Sequence, residues 1–82
     1  MKEKIQQIQD LLRRKMDAKA SDLAAEVLMD RTMSPTAYEI IQAAARNMRE
    51  IAKFSDQGNG TLADLKRQSA LQRLDEAMKA ME

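Results

Sequence analysis

The chain has no cysteine, no histidine and no tryptophan, and only one tyrosine, one phenylalanine, one proline and two glycines among its 82 residues. Without cysteine there are no disulfides, thiolate metal sites or sulfur nucleophiles. Without histidine the commonest neutral-pH acid-base group and the commonest metal ligand are both missing. Most enzyme chemistries are thereby excluded, and neither a cofactor nor a metal is expected. Two aromatics, Tyr38 and Phe54, are too few for the stacking platform that single-stranded nucleic acids favour. No uncharged apolar run approaches the roughly 20 residues that span a bilayer. The start, Met1-Lys2-Glu3-Lys4-Ile5-Gln6-Gln7, lacks the apolar stretch of a signal peptide, so a cytoplasmic protein is expected.

What the chain has is helix-forming material. Ala, Leu, Met, Glu, Gln, Lys and Arg dominate, β-branched residues are few, and an all-α fold without strands follows. A chain of this length is a single domain that buries only about 60% of its unfolded surface, so oligomerisation is expected to support its core. Breaker chemistry occurs in two places, around Thr32 to Pro35 and at Ser55-Asp56-Gln57-Gly58-Asn59-Gly60.

A first helix is expected from about residue 2 to 30, with Ile5, Ile8, Leu12, Met16, Leu23 and Val27 as one apolar stripe and Ala20 filling its gap. The alternative is a break near Ser21, where Ser21-Asp22 could cap a new helix. A second helix starts at Ser34-Pro35, since serine caps the first turn and proline at the next position loses no helical bond. It runs to about Phe54, burying Tyr38, Ile41, Ala45, Met48 and Ala52, with Ile40, Ala44 and Ile51 widening the face. The short connection folds it back on the first as an antiparallel helical hairpin. After a loop at 55–60, Thr61 is the expected N-cap of a third helix over about 62–80, striped by Leu71, Leu74, Ala77, Met78 and Met81.

The net charge of +1 conceals a gradient. Residues 1–20 hold six basic against three acidic side chains, whereas residues 21–40 hold Asp22, Glu26, Asp30 and Glu39 against Arg31 alone. Such asymmetry suits nucleic acid, or neighbouring subunits meeting head to tail. Arg13, Arg14, Lys15 and Lys19 lie within two turns, and Arg46, Arg49 and Lys53 share one side of the second helix. These seven are the candidate DNA contacts, able to neutralise phosphates and release counterions. The bland alternative is a solvated helix face. Gly58-Asn59-Gly60 lacks the Lys-Ser/Thr ending of a phosphate-cradling loop and reads as a hinge. The methionines, among them Met16, Met29, Met33, Met48, Met78 and Met81, fit an adaptable interface or the gaps of a small core.

A basic Ala-rich helix, a short turn, Ser34-Pro35-x-x-Tyr38-x-x-Ile41 opening a second helix, then a loop and a final helix resemble the small terminase subunit of short-tailed bacteriophages, over residues 11–54. The resemblance implies a non-enzymatic DNA-packaging protein in the host cytoplasm. It implies a ring-shaped homo-oligomer that binds double-stranded viral DNA and regulates the ATPase and nuclease of a separate large terminase subunit. Ile5, Ile8, Leu12, Met16, Leu23, Val27, Tyr38, Ile41 and Met48 would then serve subunit contacts as well as the hairpin core. Two other readings stand beside it. One is a small helical protein-binding factor such as an assembly factor, a phage-encoded inhibitor or an anti-defence protein. The other is a transcriptional regulator, disfavoured because Pro35-Thr36-Ala37-Tyr38-Glu39 offers no Arg, Lys, Asn or Gln to base edges.

Overall fold

The computed structural model describes residues 2–81, which form four helices and, among the described residues, no strand. They are α1 (Lys2–Arg13), α2 (Asp17–Leu28), α3 (Pro35–Asp56) and α4 (Gly60–Ala80). Each helix packs closely on its two neighbours in the order α1, α2, α3, α4 and back to α1, and across the α2–α4 diagonal a side-chain ion pair joins Asp17 to Arg67. The result is an up-down-up-down bundle measuring 38 × 18 × 17 Å. Cross-helix ion pairs mark the antiparallel register: Lys4 meets Glu26 at 3.3 Å between α1 and α2, and Lys66 meets Glu50 at 3.0 Å between α4 and α3.

The expected single helix over 2–30 is two helices, and the break lies at Arg14–Met16 rather than at Ser21. Its cause is a Schellman stop. The Met16 N–H donates to the Leu11 carbonyl at 2.9 Å and the Lys15 N–H to the Leu12 carbonyl at 3.0 Å, with Lys15 in the left-handed region at φ 61°. α3 ends in the same way: Asn59 N–H donates to Phe54 at 2.9 Å and Gly58 N–H to Ser55 at 3.0 Å, with Gly58 at φ 74°. Glycine takes that conformation without penalty, and a lysine does not.

Ser34 caps α3 as expected, its Oγ accepting the Ala37 N–H at 3.2 Å with Pro35 in the first turn. The expected Thr61 cap is corrected to Asn59, whose Oδ1 accepts the Leu62 N–H at 3.2 Å, so α4 begins at Gly60. Asn59 thereby closes one helix and opens the next. This shortens the expected 55–60 loop to 57–59 and lets α3 run to Asp56 rather than Phe54. The expected hairpin plus a third helix thus becomes a four-helix bundle in which α3 and α4 share the longest interface.

Between α2 and α3 the chain turns on Asp30, whose carboxylate accepts from Thr32 Oγ1 at 2.6 Å and from the Thr32 N–H at 2.9 Å. These bonds, the side-chain one first, hold the Asp30 carboxyl below the usual aspartate range. Because the folded value is depressed, the turn's stabilisation is present above the ordinary aspartate range and fades as pH falls through the folded value. A carboxyl-carbon NMR titration should show this midpoint, and Thr32→Ala should move it upward. An unchanged midpoint would remove the hydroxyl as its cause.

The core is Ile5, Ile8 and Leu12 of α1, Ala20, Ala24 and Val27 of α2, Ile41, Ala44, Met48 and Ile51 of α3, and Ala63, Ala70, Leu74 and Ala77 of α4. Of the candidate interface residues, Ile5, Ile8, Leu12, Val27, Ile41 and Met48 are therefore enclosed by their own chain, in one core to which all four helices contribute. Met16 and Leu23 are half-buried, and Tyr38, expected to pack, is exposed. Polar groups close the seam to α4: buried Gln9 donates through Nε2 to Asp75 Oδ1 at 2.7 Å. Asn47 is buried with its Nδ2 unpartnered, a cost of about 1–3 kcal/mol carried by the core.

Candidate nucleic-acid interface

Unpaired charges are costly to bury, and the seven candidate cations all lie on the surface. What the fold adds is their mutual position. α2 runs antiparallel to α3, which brings the start of α2 beside the end of α3. Lys15, Ala18 and Lys19 line one end of a groove there with Ala52, Ser55 and Asp56. The groove continues between Ala18, Ser21 and Asp22 on one side and Met48, Arg49 and Ala52 on the other. Arg46, Arg49 and Lys53 fall within a 60° arc of α3 at about 100° per residue. Arg14 precedes Lys15 in the exposed turn.

Arg14, Lys15, Lys19, Arg46, Arg49 and Lys53 have no ion-pair partner among the described residues. Arg13 is set apart, since it meets Asp10 of its own helix at 3.4 Å. Both groups of that pair are more than half exposed, which makes the bond weak. Two carboxylates, Asp22 and Asp56, also line the groove and bound its positive stretch. A third, Asp17, is turned inward to Arg67. The N-terminus of α2 lacks a side-chain cap, Met16 having none to offer, whereas Ser34 and Asn59 cap α3 and α4. Its first-turn N–H groups add partial positive charge beside Lys15 and Lys19.

Lys15 combines cation and backbone strain in one residue. The αL position costs a side-chain-bearing residue about 1 kcal/mol or more, and the same chain places glycine at the equivalent position of α3. Lys15→Gly should stabilise the fold by about 0.5–1 kcal/mol, a rise of several degrees in Tm by thermal denaturation, while removing a cation from the groove. A fall in Tm would mean that the lysine stem packs in a way that outweighs the backbone strain.

Sequence reasoning missed the clamp between Asp17 and Arg67, fifty residues apart. Nε donates to Oδ1 at 3.2 Å and Nη2 to Oδ2 at 2.9 Å, while Nη1 donates to Asp64. Nothing local in the sequence marks that pairing. It also missed a cleft at the other end of α2, where Leu28, Met29, Met33, Pro35 and Tyr38 gather with Asp30, Arg31 and Glu39. Met29 is 80% exposed there. The described residues hold no cluster of three or more His, Cys, Asp or Glu side chains placed to bind a metal ion. Among the described residues, no helix is long and apolar enough to cross a membrane. Comparison of the chain with protein-family models, with curated proteins and with solved structures finds no match in any of the three.

Proposed function

We propose that this chain is a non-enzymatic DNA-binding accessory protein that serves genome packaging in the manner of a small terminase subunit. The observation that supports it is the set of six exposed cations without ion-pair partners among the described residues, drawn from the α1–α2 turn, α2 and α3, three of which, Lys15, Lys19 and Arg49, line one groove. Leaving this many charges unpaired side by side is of little use to the fold and suits a polyanion. The packaging role goes one step further and rests on the Ser34-Pro35-x-x-Tyr38-x-x-Ile41 resemblance. In that role the protein acts with a large subunit that carries the motor chemistry.

Fluorescence anisotropy with a labelled duplex tests the DNA-binding part. With four to six phosphates contacted, affinity should fall about 10²–10³-fold between 50 and 200 mM salt, given a slope of roughly −0.9 per phosphate. Replacing Arg14, Lys15 and Lys19 together with alanine should weaken binding at least tenfold and flatten that slope. Unchanged binding would remove these residues from the site. Mass in solution tests the assembly part: a discrete oligomer is expected at micromolar concentration, and a strict monomer would sink the ring. A second reading, recognition of another protein, is supported by the exposed Met29 and Tyr38 in their cleft. A stoichiometric protein complex without any response to DNA would favour it.

A further inference from the structure

We propose that the α2/α3 face is an interface with a second copy of this chain, docked antiparallel about a two-fold axis. This goes beyond the DNA-binding reading and stands without it. At one end of the face the groove is lined by small side chains, Ala18, Ala52 and Ser55, together with Lys15, Lys19 and Asp56. Its other two members are engaged inward, Met16 being half-buried and Asp17 bonded to Arg67. At the other end the cleft is lined by large apolar side chains, Met29, Met33 and Tyr38 among them, together with Asp30, Glu39 and Arg31. The two ends are inverse in both size and sign. Two cations and a carboxylate accompany small residues at one, and two carboxylates and a cation accompany large residues at the other, which is the charge pattern of complementary surfaces. Met29 is 80% exposed and Tyr38 38%, so the single copy leaves the large residues uncovered.

Both ends open to the same side of the bundle. Ala18 and Met29 are eleven residues apart on α2, with Met29 still in helical conformation, and point within about 20° of each other at 100° per residue. Tyr38 and Ala52, fourteen residues apart on α3, point within about 40° of each other. Complementary patches at opposite ends of one face meet twice over when a two-fold axis relates the copies. The axis passes midway between Ala18 and Met29, at Leu23 and Ala24, and midway between Tyr38 and Ala52, at Ala45. Those levels coincide, because the groove joins Ala18 to Ala52 and the cleft joins Met29 to Tyr38. One axis therefore serves both helices. It sets Met29 over Ala18 and Tyr38 over Ala52 of the second copy, with Asp30 level with Lys15 and Lys19, and Glu39 within a turn of Arg49. Since Ala45 is also the middle of α3, the bundles overlap along their length. A face of 38 × 18 Å offers about 700 Å² to the contact, near the roughly 800 Å² per partner of a stable interface. The second copy and a duplex would compete for Lys15, Lys19 and Arg49.

The absence of native cysteine lets the register be read by cross-linking. Ala18→Cys/Met29→Cys should become a covalent dimer under mild oxidation, because its two thiols lie about 16 Å apart within one copy, beyond disulfide reach, and meet only across the axis. Each single cysteine variant should stay monomeric on a non-reducing gel. Light scattering of the wild type at micromolar concentration should report twice the 9.3 kDa chain mass. Glu39→Arg or Arg49→Glu alone should weaken the dimer about fivefold or more, and the two together should restore it, since the pair is exchanged. Circular dichroism confirms that each variant folds, and the rescue separates charge from any folding defect. A monomeric wild type, a ladder of higher species from the double cysteine variant, or failure of the charge exchange to rescue would overturn the interface. So would Met29 being covered by an unlike protein while this chain stays monomeric. A wild-type monomer that binds a 20-base-pair duplex would overturn this interface alone and leave the DNA-binding reading intact. A dimer that persists with duplex bound would keep the interface and move DNA binding off the groove.

Discussion

Ile8→Ala should cost the bundle about 3 kcal/mol in urea denaturation, a large part of what an 82-residue chain has. Whole-domain stability of about 0.05–0.15 kcal/mol per residue gives roughly 4–12 kcal/mol in total. Ile8 is fully buried, and truncating a buried isoleucine to alanine costs about 2–5 kcal/mol in lost transfer energy and residual cavity. α1 is also a helix of 12 residues, a length at which isolated helices are marginal in water. It exists because Ile5, Ile8 and Leu12 pack inward and Gln9 bonds across to α4. With close backbone approach to α2 and α4 but not to α3, it should open before the long α3–α4 pair does. Hydrogen exchange should therefore accelerate in α1 amides more than in α3. A loss under 1 kcal/mol, or uniform acceleration, would show that α1 is not held through this residue.

The sequence made the start of α3 legible because Ser34-Pro35 encodes it locally, through one hydroxyl and one fixed φ. The end of α1 was not legible. A Schellman stop is usually marked by glycine, and Lys15 occupies that position here, while Leu12, Met16 and Ala20 continue the helical spacing across the break. Thr61 and Asn59 are both capping residues, and only the Schellman turn on Gly58, which leaves Asn59 outside the helical region at the mouth of α4, decides between them. An apolar stripe says that a face is covered but not by what. Ile5, Ile8, Leu12, Ile41 and Met48 looked available to another subunit until the other helices enclosed them. The cations were legible as surface residues, because desolvating an unpaired charge is prohibitive. Their collection along one groove needed the antiparallel pairing of α2 with α3, which depends on contacts far apart in the chain.

Arg67→Met should destabilise the bundle by about 2–4 kcal/mol, at the low end of what breaking a buried ion pair costs. The side chains of Arg67 and Asp17 are only 11% and 17% exposed, so solvent screens their attraction less than at the surface pairs. The fork geometry, two parallel bonds to one carboxylate, also makes the pair stronger than a single contact. Its removal leaves Asp17 sheltered from water without a partner, and that uncompensated charge supplies most of the loss. Restoring neutrality should therefore recover much of it: Arg67→Met with Asp17→Leu should be more stable than Arg67→Met alone. The hydrogen bonds that the guanidinium donates to Asp17 hold its pKa above the ordinary value. A raised folded-state value stabilises the fold below the ordinary arginine range and stops doing so only as pH climbs through the higher value. Arg67 therefore adds no slope to stability between pH 5 and 10. Urea midpoints of the single and double variants at pH 7 decide the matter, and a double variant less stable than Arg67→Met would show that the clamp is not the source of the loss.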